Sequence, residues 1–266
     1  MGAEIIGLHE WLETPPGSYL FAWEQARFDQ AVADIFGYHA LQLGLPEIDG
    51  LRGNRMPHRW LATSKSDRLL ERPHGARAAL VTDFTALPFP ANSVDLVVLP
   101  HAMELGSDPH ATLREVERVL VPEGRVVLSG FNPASLWGFR QRRTRLYRRF
   151  GFGELFLPET GELISHRRIC DWLRLLSFEV ESTHFGIYRP VVHSQAWLDR
   201  FKCFDVAGER WWPILGAVYF VVAVKRVRGM TLLAAEWKRK RTLATAPAPV
   251  AGRLHCQALD RDDGHS

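Results

Sequence analysis

The run Val94-Asp95-Leu96-Val97-Val98-Leu99 puts five apolar side chains, three of them β-branched, into six consecutive positions. A strand with one wet face alternates apolar and polar residues, so a run this apolar, with four in a row from Leu96 to Leu99, needs cover on both faces, as central strands of a parallel sheet have. Parallel neighbours in turn require crossover connections, and the flanking chain supplies them. Upstream, Ala78–Val81 leads into Asp83 and a turn rich in Pro88, Pro90 and Asn92. Downstream, Asp108 can cap a helix with Pro109 at its first position. Leu113, Val116, Val119 and Leu120 mark one face of that helix, Pro122 and Gly124 end it, and Val126–Ser129 resumes an extended pattern.

The same alternation of strand and helix recurs on either side. Leu20, Trp23, Phe28, Val32 and Ile35 keep helical spacing between a Ser18 cap and Gly37, followed by a short strand Tyr38–Leu43 that runs into Gly44. Arg59–Thr63 is a second strand candidate. Later, Ser165 can cap a helix carrying Ile169, Trp172, Leu173 and Leu176, and Phe178–Glu181 and Val218–Val224 read as strands. The predicted fold is α/β, an open, mostly parallel sheet covered by helices. Two insertions interrupt it, at 131–163 and 190–212. The aromatic residues Trp197, Phe201, Phe204, Trp211 and Trp212 in the second read as core packing.

A chain of 266 residues with 46% hydrophobic content supports one large core and is short for two full domains. Residues 1–228 read as one domain that opens with a helical segment, 1–37. Residues 229–266 read as a basic tail too poor in apolar side chains to order itself. The net charge of +3 is ordinary for a globular protein, so the distribution of charge matters more than its sum. Cys170, Cys203 and Cys256 show no paired spacing, which argues against a disulfide framework or a zinc site and suits the reducing cytoplasm. The first residues lack a basic stretch followed by an apolar run, so no export signal is expected. Trp211–Val224 is broken by Pro213 and Gly216 and falls short of the roughly 20 apolar residues of a membrane span.

Several short motifs follow one another in order. They are Leu87-Pro88-Phe89, Val94-Asp95-Leu96-Val97, His101-Ala102-Met103-Glu104, Asp108-Pro109, Leu113-Arg114-Glu115, Arg118-Val119-Leu120 and Pro122-Glu123-Gly124. This series resembles the type 11 domain of the class I S-adenosylmethionine-dependent methyltransferases. Ser129-Gly130-Phe131-Asn132-Pro133, with Trp172-Leu173 and Phe178-Glu179-Val180, is similar to a narrower bacterial group, the YafS-like methyltransferases. The resemblance implies a Rossmann-like sheet of seven strands with helices on both faces and the C-terminal strand antiparallel. It also implies S-adenosylmethionine as cofactor, across the carboxyl ends of the first half of the sheet.

On that resemblance, Gly44, Ser64, Asp83, Phe84, Leu99 and Pro100 are the expected cofactor contacts. Gly44 stands where the family has a glycine-rich turn, but Leu45-Pro46 follows it, and Pro46 removes one backbone N–H and restricts Leu45. Ser64 occupies the place of the acid that takes the ribose hydroxyls. Asp83 matches the acid that accepts from the adenine amine, and could equally cap a turn. Leu99, Pro100 and His101 end the central strand, where family members line the methyl-transfer site. His101 is the best-placed candidate for a chemical role, with Glu104 beyond it, while Asp95 is structural. Methyl transfer from a sulfonium is an in-line displacement, so positioning can supply much of the acceleration without a base.

These features predict a methyltransferase acting on a small-molecule acceptor, with no metal. The altered Gly44 turn leaves room for a second reading, a catalytically silent binding protein of the same fold. A third rests on Arg140–Arg149, where arginines interleave with Phe139, Leu146, Tyr147 and Phe150, a pattern that suits nucleic acid or a membrane surface as partner. The plainer reading of that segment is a solvated helix capping the active site.

Overall fold

The computed structural model describes residues 11–64, 80–148, 163–190, 197, 200–201 and 203–226. Seven strands form one sheet in the order β3-β2-β1-β4-β5-β7-β6. The strands are β1 (His39–Leu43), β2 (His58–Thr63), β3 (Leu80–Val81), β4 (Val94–Pro100), β5 (Leu120–Phe131), β6 (Phe178–Gly186) and β7 (Val218–Lys225). The first five run parallel, and β7 lies antiparallel between β5 and β6. This is the open, mostly parallel sheet that the sequence pattern predicts, with the seven strands and antiparallel last strand that the resemblance implies.

The apolar run opens into two cores, because successive side chains of a strand point to opposite faces. Leu96 and Val98 face α1 (Pro15–Val32), packing with Phe28, Val32, Phe220 and Val222. Val97 and Leu99 face the other way. They meet Leu113 and Val116 of α3 (Pro109–Val119), and Ile169 and Leu173 of α5 (His166–Leu175). Between the two longer helices α1 and α3 lies the single turn α2 (Ala102–Leu105), and α4 (Leu136–Arg148) follows β5. Helix α6 (Cys203–Trp211) precedes a 3-10 turn, Pro213–Leu215, that leads into β7.

Local chemistry sets the boundaries. Helix α1 starts earlier than Ser18, because Thr14 caps it by accepting the N–H of Gly17, with Pro15 and Pro16 in the first turn where no donor is needed. The helix also ends at Val32, before Gly37, whose place is set instead by close approach: a β-carbon there would come 2.5 Å from that of Asp95. The Asp95 carboxylate reaches past it and accepts the N–H groups of Tyr38 and His39, both at 2.9 Å, which fixes the start of β1 beside β4. Helix α3 is capped by Asp108 as expected but ends at Val119, before Pro122 and Gly124. Leu120 already pairs with Val94, and the Lys225 ammonium takes the carbonyls of Glu117 and Leu120, ending the helix with a cation at its negative pole.

The crossover from β1 to β2, residues 44–57, contains no helix. Leu45, Ile48, Leu51 and Met56 are buried there against Phe28 and Val32 and do the covering a helix would do. Two amides hold this compact loop together. Gln42 Nε2 donates to the carbonyls of Leu45 and Ile48 while its oxygen accepts from Gly50. Asn54 Nδ2 donates to the carbonyls of Val32 and Ile35, which closes the end of α1.

Two expectations are corrected. The aromatic residues of the second insertion are not core: Trp197, Phe204, Trp211 and Trp212 are 52%, 44%, 70% and 57% exposed. The strand Phe178–Glu181 extends to Gly186, because β6 pairs with β7 along nearly its whole length and, as an edge strand, needs no strong alternation. Its outward Glu179 and Glu181 are paired with Arg226 and Arg125. Ala78 and Ala79, the glycine-containing loop from 151 to 161, and the predicted tail 229–266 lie outside the described residues. Among the described residues no helix is long and apolar enough to cross a membrane.

Replacing Asp95 by Ala removes the acceptor for two backbone donors, and each hydrogen bond to a charged group contributes about 1.5–3 kcal/mol. Urea unfolding of Asp95→Ala should therefore show a loss of about 2 kcal/mol or more with an unchanged denaturant slope.

Candidate active site

The sheet changes direction at the boundary between β1 and β4. From there β2 and β3 extend to one side and β5 to the other, and open α/β sheets bind ligands in the crevice beyond the carboxyl ends at such a switch point. Gly44, Ser64, Asp83 and Pro100 all stand at this edge, at or just beyond the ends of β1, β2, β3 and β4. The sheet therefore brings together residues far apart in the chain.

At β1 the backbone turns sharply. Gly44 has φ of 110°, open to glycine and costly for other residues. A β-carbon there would lie 2.5 Å from the carbonyl oxygen of Pro100 and 3.0 Å from the side chain of Ala102. Leu45 N–H donates to that same carbonyl at 3.0 Å, so the β1 turn rests directly on the end of β4. At β2, Ser64 is half-buried after Thr63, whose carbonyl accepts from Thr82. At β3, Asp83 is exposed and accepts from the backbone N–H and the hydroxyl of Thr85, which shapes a turn. Phe84 beneath it is buried with Leu87, and the turn is pinned to α3 by Glu115, which accepts from Leu87 N–H, and Arg118, which donates to Leu87 O. Leu99 is wholly buried in the core below this edge.

His101 adopts φ of 52° and is buried, with both ring nitrogens engaged. Nδ1 lies 2.7 Å from Glu104 and Nε2 lies 3.0 Å from Glu24 of α1. Burial is the largest influence on the ring and favours the neutral form. The charges of Glu24 and Glu104 and their hydrogen bonds outweigh it together, so the pKa is raised to about 10. At neutral pH the group is an imidazolium clamped between two carboxylates, with no nitrogen open to accept a proton. Glu104 also accepts the Phe131 N–H, which draws the end of β5 into the cluster.

Glu24 is the partner that sequence reading overlooked. Its signal was present: an acid between Leu20 and Phe28 on the apolar stripe of α1 is an expensive choice unless something buried pairs with it. Behind the clamp, the hydroxyls of Tyr219 and Ser129 are buried without a hydrogen-bond partner. Gly130 makes room for the first, since a β-carbon there would come 2.5 Å from the Tyr219 oxygen. Burial, followed by the charge of Glu104, pushes the Tyr219 hydroxyl well above its ordinary pKa and keeps it protonated. Among the described residues no group of three His, Cys, Asp or Glu side chains is arranged to hold a metal ion.

The clamp has a pH signature. A histidine whose folded pKa exceeds the unfolded value of 6.5 contributes stability that is fully present below that value and lost as pH rises through about 10. Unfolding free energies of the wild type should fall across this window relative to His101→Gln, which leaves two buried carboxylates unpaired and costs about 3–5 kcal/mol at neutral pH. Parallel pH profiles for the two proteins would disprove the charged clamp.

Comparison with known proteins agrees with this architecture. Residues 56–128 match the family model of the methyltransferase domain, type 11. The chain is 28% identical over 225 residues to the uncharacterized protein YafS of Escherichia coli, spanning 84% of this chain and 82% of that one. A malonyl-[acyl-carrier protein] O-methyltransferase of Halorhodospira halophila is 37% identical over 71 residues, 27% of this chain and 23% of that protein. The crystal structure of a SAM-dependent methyltransferase of Thermotoga maritima superposes with a TM-score of 0.52 at 14% identity, covering 78% of this chain and 92% of that one. Residues 56–128 thus match the methyltransferase domain, the chain has the fold of the SAM-dependent methyltransferases, and it is similar to YafS along most of its length.

Proposed function

We propose that this protein is an S-adenosylmethionine-dependent methyltransferase acting on a small-molecule acceptor in the cytoplasm. The observation that carries the reading is the alignment of Asp83, Ser64, Gly44 and Pro100 along one edge at the switch point of a methyltransferase-type sheet. The donor chemistry there fits the cofactor. Asp83 is a carboxylate acceptor at the surface, Ser64 can accept from a hydroxyl, Phe84 supplies an apolar floor, and Gly44 provides a backbone turn without a side chain.

S-adenosylmethionine supplies a methyl group on a sulfonium, already activated for in-line displacement. The work left to the chain is binding and orientation. His101 serves this as a positioning residue: its two carboxylates hold the segment Pro100–Leu105, and with it the wall of the site, against α1 and β5. The choice of acceptor belongs to the insertions 131–163 and 190–212.

A second reading, a catalytically silent binding protein, is favoured by the direct contact of Leu45 N–H with Pro100 O and by Pro46 beside it, which narrow the turn at Gly44. Turnover of the cofactor with a cell-extract fraction would exclude the silent reading, and isothermal titration tests the methyltransferase. Micromolar binding of S-adenosylmethionine or its demethylated product supports the methyltransferase, and no binding of either at millimolar ligand would sink it. Asp83→Ala should weaken that binding about tenfold, the order of one hydrogen bond to a charged group, whereas Thr85→Ala, which removes one of the turn contacts of Asp83 but not its carboxylate, should weaken it less. Gly44→Ala should abolish binding and destabilise the fold, because it is both strained and obstructed.

A further inference from the structure

We propose that the face formed by the start of α4 and the turn preceding β7 docks on an anionic lipid surface. Asn132, at the exit of β5, donates from its amide to the carbonyls of Ile214 and Gly216 at 2.7 and 2.9 Å. That bridge sets the turn 211–216 against the segment that opens α4. On α4, Trp137 is buried and its indole donates to the Arg189 carbonyl, which orients the helix. Leu136 and Phe139 consequently point outward, 57% and 65% exposed. On the turn, Trp211, Trp212, Ile214 and Leu215 are 70%, 57%, 58% and 45% exposed. Large apolar side chains scattered singly are normal on a surface, whereas a set held outward on a fixed frame marks an interaction face.

Charge identifies the occupant. Helix α4 contains five arginines and no Asp or Glu in its sequence, and its Arg142 and Arg143 are exposed. The acids of α6 near the turn are compensated: Asp205 pairs with Arg189 at 2.8 Å, and Glu209 lies 3.6 Å from Arg27. An arginine-rich helix next to exposed tryptophans and aliphatic side chains matches the layered chemistry of a lipid interface. Guanidinium groups meet phosphates, indoles rest at headgroup level, and Leu136, Ile214 and Leu215 enter the acyl boundary. Single-stranded RNA would use the arginines and rings, but it gains nothing from those aliphatic residues, which offer no face for base stacking.

Sedimentation of the full-length protein with phosphatidylglycerol-containing vesicles tests this. Binding should be lost with added salt and be absent with pure phosphatidylcholine vesicles. Trp212→Ser combined with Ile214→Ser should weaken binding roughly tenfold or more, and so should Arg142→Glu combined with Arg143→Glu, because burial and charge act together. The exposed turn variants should keep the wild-type unfolding midpoint, so loss of vesicle binding there is not loss of fold. Four results overturn the proposal: no binding to anionic vesicles, equal binding to neutral ones, unchanged binding of both variants, or salt-sensitive RNA binding without vesicle binding. A dimer that dissociates on Trp212→Ser while vesicles are ignored would assign the face to a second copy and overturn it as well.

Discussion

A protonated imidazole sealed from water holds three elements of this protein in register. His101 cannot discharge without leaving Glu24 and Glu104 facing one another in a dry interior, and neither carboxylate can leave without exposing a buried cation. Glu24 belongs to α1, Glu104 follows β4, and through Phe131 N–H the same carboxylate reaches β5. Dispersion and apolar burial pack the sheet, yet they are tolerant of small slips along a helix. A buried charge with fixed partners is not, and that geometric strictness is what a site built on strand ends needs.

The crossover after β1 shows how one face of a sheet can be covered without regular structure. Residues 44–57 bury four aliphatic or thioether side chains, and their backbone polar groups need partners wherever water is excluded. Gln42 and Asn54 provide these from inside, each joining donors and acceptors that a helix would have satisfied by itself. The compact loop keeps the Gly44 turn pressed on Pro100. The match to the methyltransferase domain begins at residue 56, in the last residues of this loop.

Much of the fold was legible because periodicity is a local property. The apolar run at Val94, the Asp108-Pro109 cap and the β-branched stretch at Val218 each state their environment in a few residues. Boundaries were less legible where distant groups set them: Lys225 ends α3 from more than a hundred residues away, and Thr14 takes the cap that Ser18 resembled. At the site, the strand-end positions of Gly44, Ser64, Asp83 and Pro100 could be read by motif order. The pairing of His101 with Glu24 could not, because nothing in sequence says which helix will lie against which strand end. The aromatic residues after Cys203 were misread as core for a related reason: composition reports how apolar a side chain is, and only the frame reports which way it faces.

Helix α1 and the Gly44 turn share supports at both ends. Asn54 fastens the loop to the carbonyls that finish α1, and Glu24 fastens the middle of α1 to the segment on which the turn rests. Local opening of the helix and loosening of the turn are therefore one cooperative event. By thermodynamic linkage, any ligand that requires the closed turn also lowers the population of molecules with an undocked N-terminal helix, and a partner that peels α1 away would release that ligand.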